Sequence, residues 1–252
     1  MSSGIFYILA DYERKQSEAV GTLGKNLFRD AFGDIYKHYV GLQLKQGSET
    51  EALIDLDTLQ HNGLKPDFAL ITGNRIVLLE IKVSFLTSLS KVLGDEVKIK
   101  KEISRTDGQF AKALNQLNTF EEAINAGTIA DRRFSGKKEI IKIIVSYEDF
   151  YLANSYLLNL ATAEFGEKLI SNLQIMTLMD IDACGTVLAN GGKVVDYLFN
   201  KVSDPEFKAW SVDAFIRNSN KGLPNKNPLL DENFKEFFNE LTGKSLYFEK
   251  LI

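Results

Sequence analysis

The order of apolar segments along the chain predicts an α/β (α+β) fold: a mixed β-sheet flanked by helices, with a mostly helical C-terminal extension. Two observations near the middle predict the sheet. Apolar runs at 67–72 and 75–82 are joined by Gly73-Asn74, a two-residue hairpin signal. Further strand-like runs at 140–147 and 173–181 each follow a helical pattern, as crossover connections require. A third observation predicts the extension, because strand signals stop near residue 182.

Taken in order, residues 12–35 read as a helix with Val20, Leu23, Leu27, Ala31 and Ile35 at helical spacing. Gly21 and Gly24 weaken it by ~1 kcal/mol each relative to alanine. Residues 51–57 read as the first strand, and the hairpin supplies two more. A polar stretch, 87–106, leads to a helix over 107–126 whose apolar face is Phe110, Ala113, Leu114, Leu117, Phe120 and Ile124. After the strand at 140–147, residues 152–171 are helical. Residues 183–252 include an Asn/Lys/Pro-rich loop at 218–228. A late helix there carries Leu230, Phe234, Phe237, Phe238 and Leu241 and is ended by Gly243. The expected division is a core over 1–182 and a helical elaboration over 183–252.

Composition excludes several classes. With 44% apolar and 25% charged residues, the 252-residue chain has an ordinary globular core, not a disordered or low-complexity one. The single cysteine, Cys184, excludes an intramolecular disulfide framework. One cysteine and two histidines leave no four-ligand zinc site of the usual kind and disfavour a Cys–His nucleophile. Gly191-Gly192-Lys193 lacks the spacing and the Ser/Thr of a phosphate loop. The run at residues 5–10 is too short for a membrane span and has no basic flank, so a soluble, cytoplasmic protein with no membrane contact is expected. The net charge of −4 argues against holding nucleic acid by bulk positive charge.

The hairpin concentrates the chemistry. Its two-residue loop pairs positions whose numbers sum to 147, which sets Asp67 opposite Glu80, and alternation puts Lys82 on the Glu80 face. Two carboxylates about 5 Å apart repel by roughly 3 kcal/mol at an effective dielectric near 20. Lys82 offsets part of this repulsion, and a hard divalent cation would offset more.

Pro66-Asp67, twelve intervening residues and Glu80-Ile81-Lys82 resemble the signature of the PD-(D/E)xK nuclease superfamily, the restriction-endonuclease-like fold. The resemblance extends to the element order over residues 12–181. It implies that Asp67 and Glu80 hold Mg2+, with Mn2+ substituting, that Ile81 offers a carbonyl ligand, and that Lys82 serves the attacking water. Many members also carry a glutamate on the first helix. Here Glu18 or Glu13 would fill that place, or none does, and a solvated surface acid is an equal reading of Glu18. Several families carry a glutamine on the helix after the motif lysine, and Gln116 is similar. It would hydrogen-bond the water or a phosphate, or else form a plain polar helix edge.

Two locally basic segments flank the 107–126 helix. One holds Lys98, Lys100, Lys101 and Arg105, the other Arg132, Arg133, Lys137, Lys138 and Lys142, and Lys112 lies on the helix between them. They are candidates for phosphate contact, each with a solvated-loop alternative. The expected function is a metal-dependent endonuclease hydrolysing phosphodiester bonds of nucleic acid, most readily double-stranded DNA, in a restriction/defence, repair or mobile-element setting. The alternative is a catalytically inactive nuclease-fold subunit that binds nucleic acid or a protein, as a homodimer or within a larger complex. His38 and His61 show no ligand spacing, and Asp180 and Asp182 alternate at the end of the last strand with no chemistry assigned.

Overall fold

The computed structural model describes residues 27–46, 51–83, 86–87, 90, 95–147, 154–219 and 227–242. Five strands, β1 (Ala52–Asp55), β2 (Phe68–Thr72), β3 (Arg75–Lys82), β4 (Glu139–Ser146) and β5 (Leu173–Met176), form a sheet in the order β1-β2-β3-β4-β5. The first three pair antiparallel, and β3–β4 and β4–β5 pair parallel. The hairpin register is the one predicted, with Phe68 opposite Leu79 and Thr72 opposite Arg75. Gly73 adopts φ +58°, the left-handed conformation that such a tight loop needs and glycine takes without strain.

Helices cover both sides. On one side α3 (Gln109–Asn125) lies on β3 and β4 and α4 (Asn154–Phe165) on β5, with α2 (Glu96–Ser104) packed against α3 and α4; their apolar residues share a core with Ala69, Ile71, Ile76, Leu78, Ile140 and Ile144. On the other, α1 (Leu27–Lys45), α6 (Leu178–Ala189) and α7 (Val194–Ser203) lie on the sheet and α8 (Val212–Ser219) packs against α6 and α7; their apolar residues share a core with Phe68, Leu70, Val77, Leu79, Ile81, Ile143 and Val145. The short α5 (Glu167–Ile170) precedes β5, and α9 (Pro228–Thr242) follows α8. Central strands buried on both faces explain why β2, β3 and β4 read as continuous apolar runs. Residue 182 lies within α6, and α6–α8 share one apolar core with α1 and the sheet.

Several local expectations are corrected. The first helix, described from Leu27 onward, runs to Lys45, and its buried stripe is Tyr36, Val40 and Leu44. Ile35 is 65% exposed, because the i, i+4 rows set by the sheet beneath leave it on the outer side. The polar stretch contains α2, capped by the Asp95 side chain, with only Ile99 and Ile103 turned inward; one apolar residue per turn is a weak periodic signal. The helix at 152–171 is interrupted at Gly166, which takes φ +84°. The last strand stops at Met176. There the Asp180 carboxylate accepts from the Thr177 amide and starts α6, so Asp180 and Asp182 are helical. Gly243, Glu13, Glu18, Gly21, Gly24 and most of the 218–228 loop lie outside the described residues.

Candidate active site

The antiparallel meander brings the start of β2 against the end of β3, and α1 and α3 reach that corner from opposite faces. At Gly41 the helix α1 closes tightly on β2: an added Cβ would stand 3.2 Å from the Phe68 ring. One turn earlier, Lys37 therefore lies over the same ring and reaches Asp67, with Nζ 2.8 Å from Oδ1. The second Asp67 oxygen accepts from the Ile81 amide at 2.8 Å. In a strand a residue's N–H and C=O point to the same side, so the Ile81 carbonyl also faces the corner where β2 has not yet begun.

Glu80 is 2% exposed. Its Oε1 accepts from Lys82 Nζ at 2.5 Å, while Oε2 is buried with no hydrogen-bond partner. Burial raises the Glu80 pKa most, the Asp67 charge adds to it, and Lys82 and Lys37 oppose it; together they carry it from 4.5 to about 7. Lys82 also donates to Gln116 Oε1 at 3.4 Å, and Gln116 Nε2 donates to the Lys65 carbonyl at 3.1 Å. Asp67, Glu80, Ile81 and Lys82 thus meet at one corner, as the hairpin register predicts, and the packing of α3 brings Gln116 to the same place.

Sequence reasoning missed Lys37, its partner Asp57 and Ser146 here. Lys37 bonds Asp57 at 2.6 Å as well as Asp67. Burial pulls its pKa down, but the bonds and charges of the two aspartates outweigh this and hold it above the ordinary lysine value. Nothing in the local pattern marks Lys37, since only the packing of α1 on β2 brings it near. Ser146 is paired with Lys82 in the parallel register, on the face that carries Lys142 and Ile144, and its buried Oγ has no partner. Glu80 Oε2 and Ser146 Oγ are the buried, unpartnered side-chain oxygens among the described residues, and both lie at this end of the sheet. The strand register could have revealed Ser146, had β4 been aligned with β3.

The basic residues fare differently. Lys98 pairs with Asp95, Arg105 with Asp107 and Arg133 with Asp131, so part of their charge is compensated locally. Lys100, Lys101, Lys112 and Arg132 are exposed. Lys142 is a correction to the basic segment: it is 1% exposed, tied to Glu121 at 2.8 Å and Asn118 at 2.7 Å, and faces α3 from within the sheet. Among the described residues none of Lys98, Lys100, Lys101, Arg105, Lys112, Arg132 and Arg133 bonds to Asp67, Glu80, Lys82 or Gln116.

An unpaired buried carboxylate oxygen costs its desolvation unless something fills the site, and a hard cation is the group two carboxylates and a carbonyl suit. The donor set therefore fits a divalent metal held by Asp67, Glu80 and the Ile81 carbonyl. Among the described residues no three His, Cys, Asp or Glu side chains converge as a metal-holding group. No helix among the described residues is long and apolar enough to cross a membrane. Compared with known proteins, the chain matches no family model and no curated sequence.

Proposed function

We propose that this chain is a metal-dependent endonuclease acting on DNA phosphodiesters, with a restriction-endonuclease-like core of the PD-(D/E)xK type. The observation that carries the reading is the buried, unpartnered Glu80 Oε2 at the corner shared by Asp67, Ile81 and Lys82. An antiparallel β1-β2-β3 meander followed by parallel β4 and β5 supports the same reading. When bound, a divalent cation lowers the pKa of a water and offsets charge on the phosphoryl oxygens. The chain's own residues would do the rest. Asp67 and Glu80 fix the cation, and Gln116 holds Lys82 from the α3 side. Lys82 orients the water whose oxygen attacks phosphorus as the ester P–O bond breaks and the leaving oxygen takes up a proton.

Nicking of supercoiled plasmid in Mg2+ or Mn2+ tests this. The wild type is expected to cut, and Asp67→Ala, Glu80→Ala and Lys82→Ala to lose at least about 100-fold in rate while unfolding cooperatively. Wild-type cutting by the Lys82 variant would sink the assigned roles. A second reading, a nucleic-acid-binding subunit without catalysis, is favoured by one observation: Lys37 already neutralises Asp67. It predicts a gel shift of duplex DNA with no product under any metal.

A further inference from the structure

Lys37 sits where a metal site has least use for a cation. Its ammonium is 2.8 Å from Asp67 Oδ1, the oxygen that the Ile81 amide leaves free, and it is held from the far side by Asp57, which is 70% exposed. Beside it opens a cleft of about 250 Å³ lined by Asp34, Lys37, His38, Lys45, Asp55 and Phe68. The ammonium therefore has both an alternative anion and room on the solvent side of Asp67.

We propose that Lys37 is a built-in competitor of the divalent cation: it occupies Asp67 in the metal-free protein and must yield that oxygen, keeping Asp57, when metal binds. The inference rests on the metal-site reading above and adds to it a residue that sets metal affinity without being a ligand. A positive charge in contact with a ligand oxygen satisfies the acid electrostatically and repels an incoming cation. The unpartnered Glu80 Oε2 then marks the half of the site that Lys37 does not reach. Lys37 is a positioning residue in this account, because it acts on Asp67.

Manganese binding to the full chain without DNA, followed by calorimetric titration and by the loss of the free-Mn2+ paramagnetic signal, tests the proposal. Lys37→Met keeps the aliphatic stem over Phe68 and removes the charge, and is expected to bind Mn2+ roughly tenfold tighter than wild type. Lys37→Arg retains the charge and is expected to bind as wild type does. Lys37→Gln replaces the Met variant should that not unfold cooperatively in chelator. Tighter binding that disappears in Lys37→Met/Asp67→Ala supports the proposal. Equal or weaker binding by Lys37→Met, or equal tightening by Lys37→Arg, overturns it; the metal-site reading then survives if Asp67→Ala and Glu80→Ala abolish binding. Absence of Mn2+ binding in every variant overturns both.

Discussion

Burial and the Asp67 charge hold the Glu80 carboxyl near pH 7, so the metal-free folded chain keeps a proton there that the unfolded chain releases near 4.5. The stabilisation from that proton is complete below about pH 4.5 and is lost as pH rises through 7. Relative to Glu80→Gln, the wild type should lose up to about 3 kcal/mol between pH 4 and 8 in chelator, measured by urea unfolding. A bound divalent cation needs the ionised carboxylate. Its stabilising effect should therefore grow over the same interval, with proton release on binding. Ser146 gives a second residue-scale expectation. Its hydroxyl is buried and unpartnered, so Ser146→Ala should stabilise the metal-free protein by about 1 kcal/mol, read as a rise in urea midpoint at constant m. Glu80 and Lys82 were legible in the sequence because a two-residue loop fixes register and register fixes facing. Lys37 was not, because its partner Asp67 lies thirty residues away and no pattern within a helix encodes which strand it will cross.

At the scale of elements, the Asp180 carboxylate joins β5, α6 and α8: it accepts from the Thr177 amide and hydroxyl and from the Asp213 amide. Asp180→Ala leaves two backbone donors without that partner and should cost about 2–3 kcal/mol, while Asp180→Asn, which keeps a carbonyl acceptor, should cost less; chemical denaturation distinguishes them. The same element shows why a strand was expected through residue 181. Leu173–Met176 is buried on both sides and apolar but for Gln174, and Leu178 and Ile181 continue the apolar run. Only the Thr-x-x-Asp spacing marks the turn into a helix. Helix α3 was legible because six of its residues form one wide apolar stripe, all of them buried. Helix α2 offers two such residues and relies on the Asp95 cap and on neighbours far along the chain.

For the whole molecule, the net charge of −4 lies within residues 1–182, and residues 183–252 are neutral. Part of the basic charge beside α3 is paired with its own acids or, at Lys142, buried. Duplex DNA should therefore bind weakly in chelator, with a shallow loss of affinity toward about 0.15 M salt. Binding should strengthen when a divalent cation such as Ca2+ is added; fluorescence anisotropy of a labelled duplex follows this. The mixed sheet and the flanking helices were readable from segment order. The role of residues 183–252 was not: their helices look like an appendage in sequence, yet α7 lies on the sheet and α8 packs on α6 and α7 within the same apolar core. Amphipathic helices announce that they have a buried face without announcing what buries it. On α9, Phe234 and Phe237 remain 57% and 58% exposed, so that helix is amphipathic without being core.

Anomalous scattering from crystals grown with Mn2+ tests the proposed metal site directly. One peak is expected between Asp67 and Glu80 at roughly 2.0–2.3 Å from Glu80 Oε2, with the Ile81 carbonyl turned to it and the Lys37 ammonium drawn off Asp67 onto Asp57. A well-ordered corner at millimolar Mn2+ with no peak, and with Lys37 still on Asp67, would contradict the account.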